Sequence, residues 1–377
     1  MGKYSIKGSY AFDERLDRDF ARVIRALTES EDGALCRALV LIGGYGRGEG
    51  TPLIVDGRQE PFNDYDFVVV SVPMNRRRRN TVQARLRRME QQLSGALGLP
   101  VDLQLYPSNG LPRAEFSLLN YEMKYGHKVV WGDPAALDAM PNYPHDRIPL
   151  SEGTRLLLNR GKLLLDVRRA LRTGRALSAD ERLRCAKFLF KAQLAFGDCA
   201  LLMSRAYDLS YTVKKERIRN PLPHAVPDAP FLVERYRAAI ALKEWGDYAF
   251  LPEYPLADEF ELVRKYYLRF FRWYESARLQ TETSGSAAYT RALLRGPREC
   301  PPWKAALLNA RVFGGKAAAP DVGFLWAHPR TRLYLSLPLL LADDPLDTAA
   351  LAEVFQMTDP QRDGAEERFY QLQRRFS

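Results

Sequence analysis

Ala38-Leu39-Val40-Leu41-Ile42-Gly43-Gly44-Tyr45-Gly46-Arg47-Gly48-Glu49 and Asp64-Tyr65-Asp66-Phe67-Val68-Val69-Val70 are the two stretches on which the fold turns, with nineteen residues between Gly44 and Asp64. A short, continuously apolar run such as 38–42 reads as a strand covered on both faces. The glycine cluster after it reads as a turn, and 64–70 as a second strand. Asp64 and Asp66 stand two apart, so both carboxylates project from one strand face. Like charges so placed repel unless a cation sits between them, and oxygen-only ligation of this kind suits Mg²⁺. Val101-Asp102-Leu103-Gln104-Leu105-Tyr106 alternates apolar and polar, the signature of a half-buried strand. If it neighbours the second strand, Asp102 joins the pair in a three-carboxylate site able to hold two metals.

The glycine turn offers complementary chemistry. Gly43 and Gly44 allow close approach of a ligand, their N–H groups suit phosphate oxygens, and Arg47 adds a cation. A phosphate cradle beside metal-binding carboxylates is what transfer from a nucleoside triphosphate requires.

Working outward, Leu16, Phe20, Val23, Ile24 and Leu27 mark one face of an amphipathic helix that ends before Gly33. Asp56-Gly57 predicts a hairpin within Thr51–Glu60. Val82, Leu86, Met89 and Leu93 line one side of a basic helix, with Arg77, Arg78, Arg79, Arg85, Arg87 and Arg88 off it. From about Leu150 the pattern turns helical, most clearly at Arg155–Leu171, Ala179–Tyr207, Phe231–Leu242 and Glu259–Leu279. Asn220-Pro221-Leu222-Pro223 breaks it, and Thr281–Ser286 reads as a flexible linker.

The composition of the 377 residues, 46% hydrophobic and 27% charged, is that of a globular chain and excludes a disordered scaffold. No run of about 18 apolar residues occurs; Leu335–Ala342 is too short and contains a proline. The opening residues lack the apolar core of a signal peptide, and Cys36, Cys185, Cys199 and Cys300 stand apart with no metal-ligand spacing. Both features point to a cytoplasmic protein with reduced thiols. Residues 1–150 hold 20 Lys and Arg against 19 Asp and Glu; the remainder holds 36 against 27. That basic excess suits either an anionic partner or solubility alone.

Gly43-Gly44-Tyr45-Gly46-Arg47-Gly48-Glu49, followed by Asp64-Tyr65-Asp66 and then Asp102, resembles the DNA polymerase β-type nucleotidyltransferase superfamily. Within it the likeness is to the minimal, kanamycin-nucleotidyltransferase-like branch. It covers about residues 34–106. The resemblance implies that Asp64 and Asp66 ligate metal, and that Asp102 completes the metal site or activates the acceptor hydroxyl. It also implies that Gly43, Gly44 and Arg47 contact the triphosphate. Two departures stand out: a glycine at Gly44 where many members have serine, and the long spacing to Asp64, which suggests that Thr51–Glu60 is an inserted hairpin over the site.

The expectation is therefore an α+β protein. A small mixed-sheet nucleotidyltransferase domain (1–150) is followed by a mostly α-helical substrate-binding bundle (151–280) and a helical or irregular extension (281–377). Its expected activity is transfer of a nucleoside monophosphate from NTP, ATP first among them, to a hydroxyl of a small molecule, protein or RNA. Mg²⁺ or Mn²⁺ would serve, and pyrophosphate would leave. The competing class is a binding protein that keeps the fold and its affinity for nucleotide or nucleic acid without catalysis.

Further signals are weaker. Lys187, Lys191, Asp198 and Arg205 fall within about 40° of one another on a helix of 3.6 residues per turn; the stripe either faces the cleft, with Lys187 reaching the triphosphate, or is a solvated edge. Lys162, in Asn159-Arg160-Gly161-Lys162, is placed to bind phosphate. Tyr211 suits either base stacking or packing. The Arg76–Arg79 run with Arg85, Arg87 and Arg88 suits RNA, but its apolar underside and the lack of interleaved aromatics favour a surface helix. Arg219 and His224 have the spacing of HEPN-type ribonucleases, yet Pro221 and Pro223 interrupt the helix that such a pair needs. His127, His145 and His328 are isolated.

Overall fold

Ser9 starts the first helix, α1 (Tyr10–Thr28), by accepting a hydrogen bond from the Phe12 N–H. Leu16, Phe20, Val23 and Leu27, spaced by helical turns, then share the face that is buried. The computed structural model describes residues 2–220, 225–283, 285–343, 345–358 and 361–376. Pro221, Leu222, Pro223 and His224 lie outside the described residues, as does Ser284 of the expected linker.

After α1 come β1 (Cys36–Leu41), a single turn α2 (Gly43–Gly46), the hairpin β2 (Pro52–Val55) and β3 (Arg58–Pro61), and β4 (Tyr65–Ser71). Next are α3 (Arg76–Leu97), β5 (Val101–Pro107), α4 (Leu118–Tyr125) and β6 (Lys128–Gly132). The main sheet has the order β5-β4-β1-β6. β1 is antiparallel to β4 and β6, and β4 is parallel to β5. The architecture is α+β, a small mixed sheet followed by helices. On the central strands Leu39, Leu41, Phe67 and Val69 share a core with α1 and with Val82 and Leu86 of α3. Ala38, Val40, Val68 and Val70, on the opposite face, are buried as well, which is why 38–42 and 67–70 carry no polar alternation. The hairpin turns at Asp56 (φ 49°) and Gly57 (φ 74°), the positive-φ pair of a tight β-turn. It is fastened to α1 by Arg15–Glu60 (2.7 Å) and to the segment before it by Ser9 N–H donating to Gln59 Oε1 (2.7 Å).

The helical part comprises α5 (Ser151–Arg172), α6 (Ala179–Met203), α7 (Tyr211–Arg217), α8 (Ala229–Trp245) and α9 (Leu256–Leu279). Beyond them lie α10 (Ser286–Arg295), α11 (Pro302–Phe313), α12 (Gly323–Trp326), α13 (Arg330–Leu341), α14 (Thr348–Phe355) and α15 (Arg362–Phe376). The chain forms two compact units, and they do not simply follow one another along it. The first contains Met1–Pro149, Ser204–Pro221 and Tyr236–Phe250; the second contains Leu150–Met203, Leu222–Arg235 and Leu251–Ser377. Thus α7 and the second half of α8, read from the sequence as part of a helical bundle, belong to the unit that contains the sheet. No helix of the described residues is long and apolar enough to cross a membrane.

In the second unit α5 packs closely on α9 and α13. A Cβ on Gly161 would lie 2.5 Å from both the Tyr267 hydroxyl and a Leu337 methyl. Tyr267 and Tyr274 donate to the carbonyls of Leu157 and Leu150, each at 2.8 Å. Cys185 and Cys199 are buried, Cys36 and Cys300 half-buried, and all four are free thiols.

Candidate functional site

The parallel register of β4 and β5 sets Asp66 directly opposite Asp102. Asp64 lies just before β4, two residues from Asp66. One carboxylate oxygen from each of Asp64, Asp66 and Asp102 lies within 4.8 Å of the other two. Asp64 and Asp66 are half-buried, and Asp102, on the edge strand, is exposed. Partial loss of hydration, and then the neighbouring Asp64 carboxylate, raise Asp102 above the usual carboxylate range. An all-oxygen donor set of this kind fits a hard divalent cation, Mg²⁺ or Mn²⁺.

The glycine turn is locked against this cluster. Ile42 N–H donates to the Asp66 carbonyl at 2.9 Å, so the turn begins beside the second acid. Gly43 then takes φ +66°, and a Cβ there would stand 2.5 Å from Asp66 Oδ2. Both constraints require glycine. Tyr45, fully buried, staples the turn to the approach to Asp64. Its hydroxyl accepts from Phe62 N–H (3.1 Å) and Asn63 N–H (3.4 Å) and donates to the Thr51 carbonyl (3.3 Å). Burial pushes that phenol up to about 12.

Arg47, expected at the triphosphate, lies in a half-buried ion pair. Its Nη1 lies 2.8 Å from Glu122 Oε2, and its Nε lies 3.9 Å from Glu49 Oε2. Burial acts most strongly on this guanidinium and pulls it down, but the Glu122 carboxylate leads the groups that hold it above its ordinary value. Glu122 also accepts from the Tyr207 hydroxyl, and Lys214 Nζ donates to the same hydroxyl at 3.3 Å. On Glu49, Oε1 accepts from Ser210 Oγ and Tyr211 N–H, each at 2.9 Å. Tyr211 is therefore fixed by its backbone, and its ring lies 3.9 Å from Lys214 Nζ, a cation–π packing arrangement.

Lys243 is the residue that sequence reasoning missed. Its ammonium donates to the Glu49 carbonyl and would stand 3.4 Å from a Cβ on Gly44. No local pattern marks it, because only the return of α8 to the first unit brings residue 243 beside residue 44.

Lys162 and Lys187, the other expected nucleotide contacts, belong to the second unit. Lys162 lies in mid-helix, 2.7 Å from Asp166 and beside the Tyr370 ring. Its neighbour Gly161 serves the packing of α5. Lys187 and Lys191 are half-buried on α6, and Asp198 is buried. Arg205 does not continue their stripe: α6 ends at Met203, and Arg205 has φ 59° with its guanidinium bonded to the Ile148 carbonyl at 2.9 Å. Arg219 pairs with Glu216 at 3.1 Å, and His224 lies outside the described residues.

No family model matches this chain, and no curated protein matches it. Among solved structures it is similar to the crystal structure of spectinomycin adenyltransferase AAD(9) from Enterococcus faecialis with ATP and spectinomycin. The TM-score is 0.37 and the identity 12%, over 66% of this chain and 98% of that one. A likeness at that level carries no argument about the chemistry of this chain.

Proposed function

We propose that this protein is a metal-dependent nucleotidyltransferase that moves a nucleoside monophosphate from a nucleoside triphosphate, ATP first among them, to a hydroxyl acceptor. The observation that carries this reading is the convergence of Asp64, Asp66 and Asp102 within 4.8 Å beside a glycine turn that only glycine can form. Asp64 and Asp66 would hold the metal, with Asp102 completing the set. When bound, Mg²⁺ or Mn²⁺ supplies positive charge for the phosphates and eases ionisation of the attacking hydroxyl.

The chain's own residues do the rest. The first N–H groups of α2, on Gly43 and Gly44, have no intrahelical carbonyl to bind and suit phosphate oxygens. Lys243 places its charge beside Gly44. Asp102, the exposed acid on the edge strand, is the one an incoming acceptor meets. The acceptor oxygen forms its bond to the α-phosphorus as the α–β anhydride bond breaks. Pyrophosphate leaves with the electron pair, and the hydroxyl proton passes to Asp102. Arg47 and Glu122 keep the turn in place from beneath.

Incubation with each of the four α-³²P nucleoside triphosphates, Mg²⁺ and a cell extract tests this, with protein, RNA and small-molecule fractions counted separately. Label that appears with wild type and is lost in Asp66→Asn supports transfer and names the acceptor class. Equal labelling by both proteins refutes it.

A further inference from the structure

Helix α3 covers the open edge of β5 with side chains. Val101 N–H donates to Ser94 Oγ (2.9 Å), Leu103 N–H to Glu90 Oε1 (2.7 Å) and Leu105 N–H to Gln83 Oε1 (3.0 Å), while Gln83 Nε2 donates to Leu103 O (3.2 Å). These bonds occupy an edge otherwise open to another strand, and they fix the helix antiparallel to β5. Between helix and strand runs a groove of about 860 Å³, lined on the helix side by Arg76, Arg79, Arg87 and Glu90, the last engaged by Leu103 N–H, and on the strand side by Asp102 and Gln104. The hydrogen-bond register puts Arg87 near the Asp102 end, and Arg76 and Arg79 near Pro107. Asp102 and Pro107 are roughly 17 Å apart along the strand.

The three arginines are exposed, and among the described residues none of them forms an ion pair. Arg85 on the same helix does, with Glu31 (2.8 Å) and Asp32 (2.9 Å). Arginines that stabilise this helix against the protein are thus on another face from those that line the groove. Exposed guanidiniums suit the oxygens of a phosphate monoester; Arg79 and Arg87 stand about 12 Å apart along the helix axis, near enough for two arginine side chains to reach one phosphate between them, and the helix N-terminus adds positive potential at Arg76. The groove has the volume of a small-molecule site. Its lining contains no aromatic ring, so bases of a single-stranded nucleic acid would have nothing to stack on.

We propose that the acceptor is a small phosphate monoester whose phosphate sits between Arg79 and Arg87 with its free hydroxyl directed to Asp102. This assignment rests on the nucleotidyltransferase reading for its hydroxyl end and on the groove alone for its phosphate end.

Calorimetric titration with ribose 5-phosphate, ribose, inorganic phosphate and a short RNA separates the cases. The ester is expected to bind wild type, ribose is not, and the Arg79→Ala/Arg87→Ala double variant is expected to bind the ester about ten-fold or more weakly. Thermal stability and Mg–ATP affinity should be unchanged in that variant. The proposal is overturned if no ester binding is seen up to about 10 mM, or if the double variant binds the ester as wild type does. It is also overturned if inorganic phosphate binds as tightly as the ester, or if RNA binds more tightly and depends on the same arginines. Mg–ATP binding indifferent to Asp66→Asn would instead refute the nucleotidyltransferase reading, while arginine-dependent ester binding would still stand.

Discussion

Gly43 approaches Asp66 so closely that a single added carbon would stand 2.5 Å from the Asp66 carboxylate oxygen. The turn proposed to hold phosphate and the acid proposed to hold metal are thus one rigid object. Gly43→Ala should cost about 1 kcal/mol for the positive φ alone and should displace Asp66 as well. The expected outcome is a folded protein with transfer reduced by at least about ten-fold, read from steady-state rates alongside a melting curve. Wild-type rates in Gly43→Ala would show that the contact does not matter.

Three carboxylates this close repel one another when no cation is bound, and each should bind metal at the others' benefit. Asp66→Asn and Asp102→Asn should therefore melt no lower than wild type in chelator. Wild type should gain several degrees on adding Mn²⁺, a gain that both variants lose, since ligand binding stabilises only the state that binds it. Equal Mn²⁺ shifts in all three proteins would exclude a metal site here.

Arg47 and Glu122 test the opposite assignment, a structural ion pair where a phosphate contact was expected. Removing one partner of a fully buried pair costs about 3–5 kcal/mol because the other charge is stranded, and water reaching Glu122 should hold the cost here below that range. Arg47→Met should lower the urea midpoint accordingly, and Glu122→Gln should lower it as well, since the single amide oxygen can accept from Tyr207 or from Arg47 but cannot replace the two carboxylate oxygens that accept from them. A stable Arg47→Met with weakened ATP binding would return Arg47 to the triphosphate.

His328 in the second unit gives a pH signature. Burial, opposed by Glu299 and aided by Arg330, Arg155 and Lys304, lowers its imidazole to about 4, and its Nδ1 accepts the Arg330 N–H at 3.1 Å. The unfolded chain takes up that proton near pH 6.5. Its stabilising contribution is therefore complete above pH 6.5 and is lost as pH falls towards 4. His328→Asn should melt with a flatter dependence on pH over that window; parallel curves would contradict the assignment.

Much of the first unit was legible in the sequence. The period of Leu16, Phe20, Val23 and Leu27, the unbroken apolar run of 38–42 and the alternation of 101–106 each report a local rule of burial that holds wherever the chain goes. Asp56-Gly57 marks its hairpin turn for the same reason, since the backbone there needs positive φ. Asp64 and Asp66 share a strand face by geometry alone.

Contacts between distant segments obey no such local rule. Whether Asp102 would meet Asp66 depended on β5 pairing parallel to β4 in one register, and a shift of one residue would have turned it to the other face. That Arg47 lies 2.8 Å from Glu122 depended on where α4 came to pack. Lys162 was read as a phosphate-binding base, and nothing local showed that Gly161 beside it is small because α5 crosses α9 and α13 there. Lys243 reaches Gly44 only because α8 returns to the sheet. Periodicity records which faces are buried, so the sequence alone determined the elements and the acids; which side chain meets which depends on how those faces pack, and only the tertiary structure decided that.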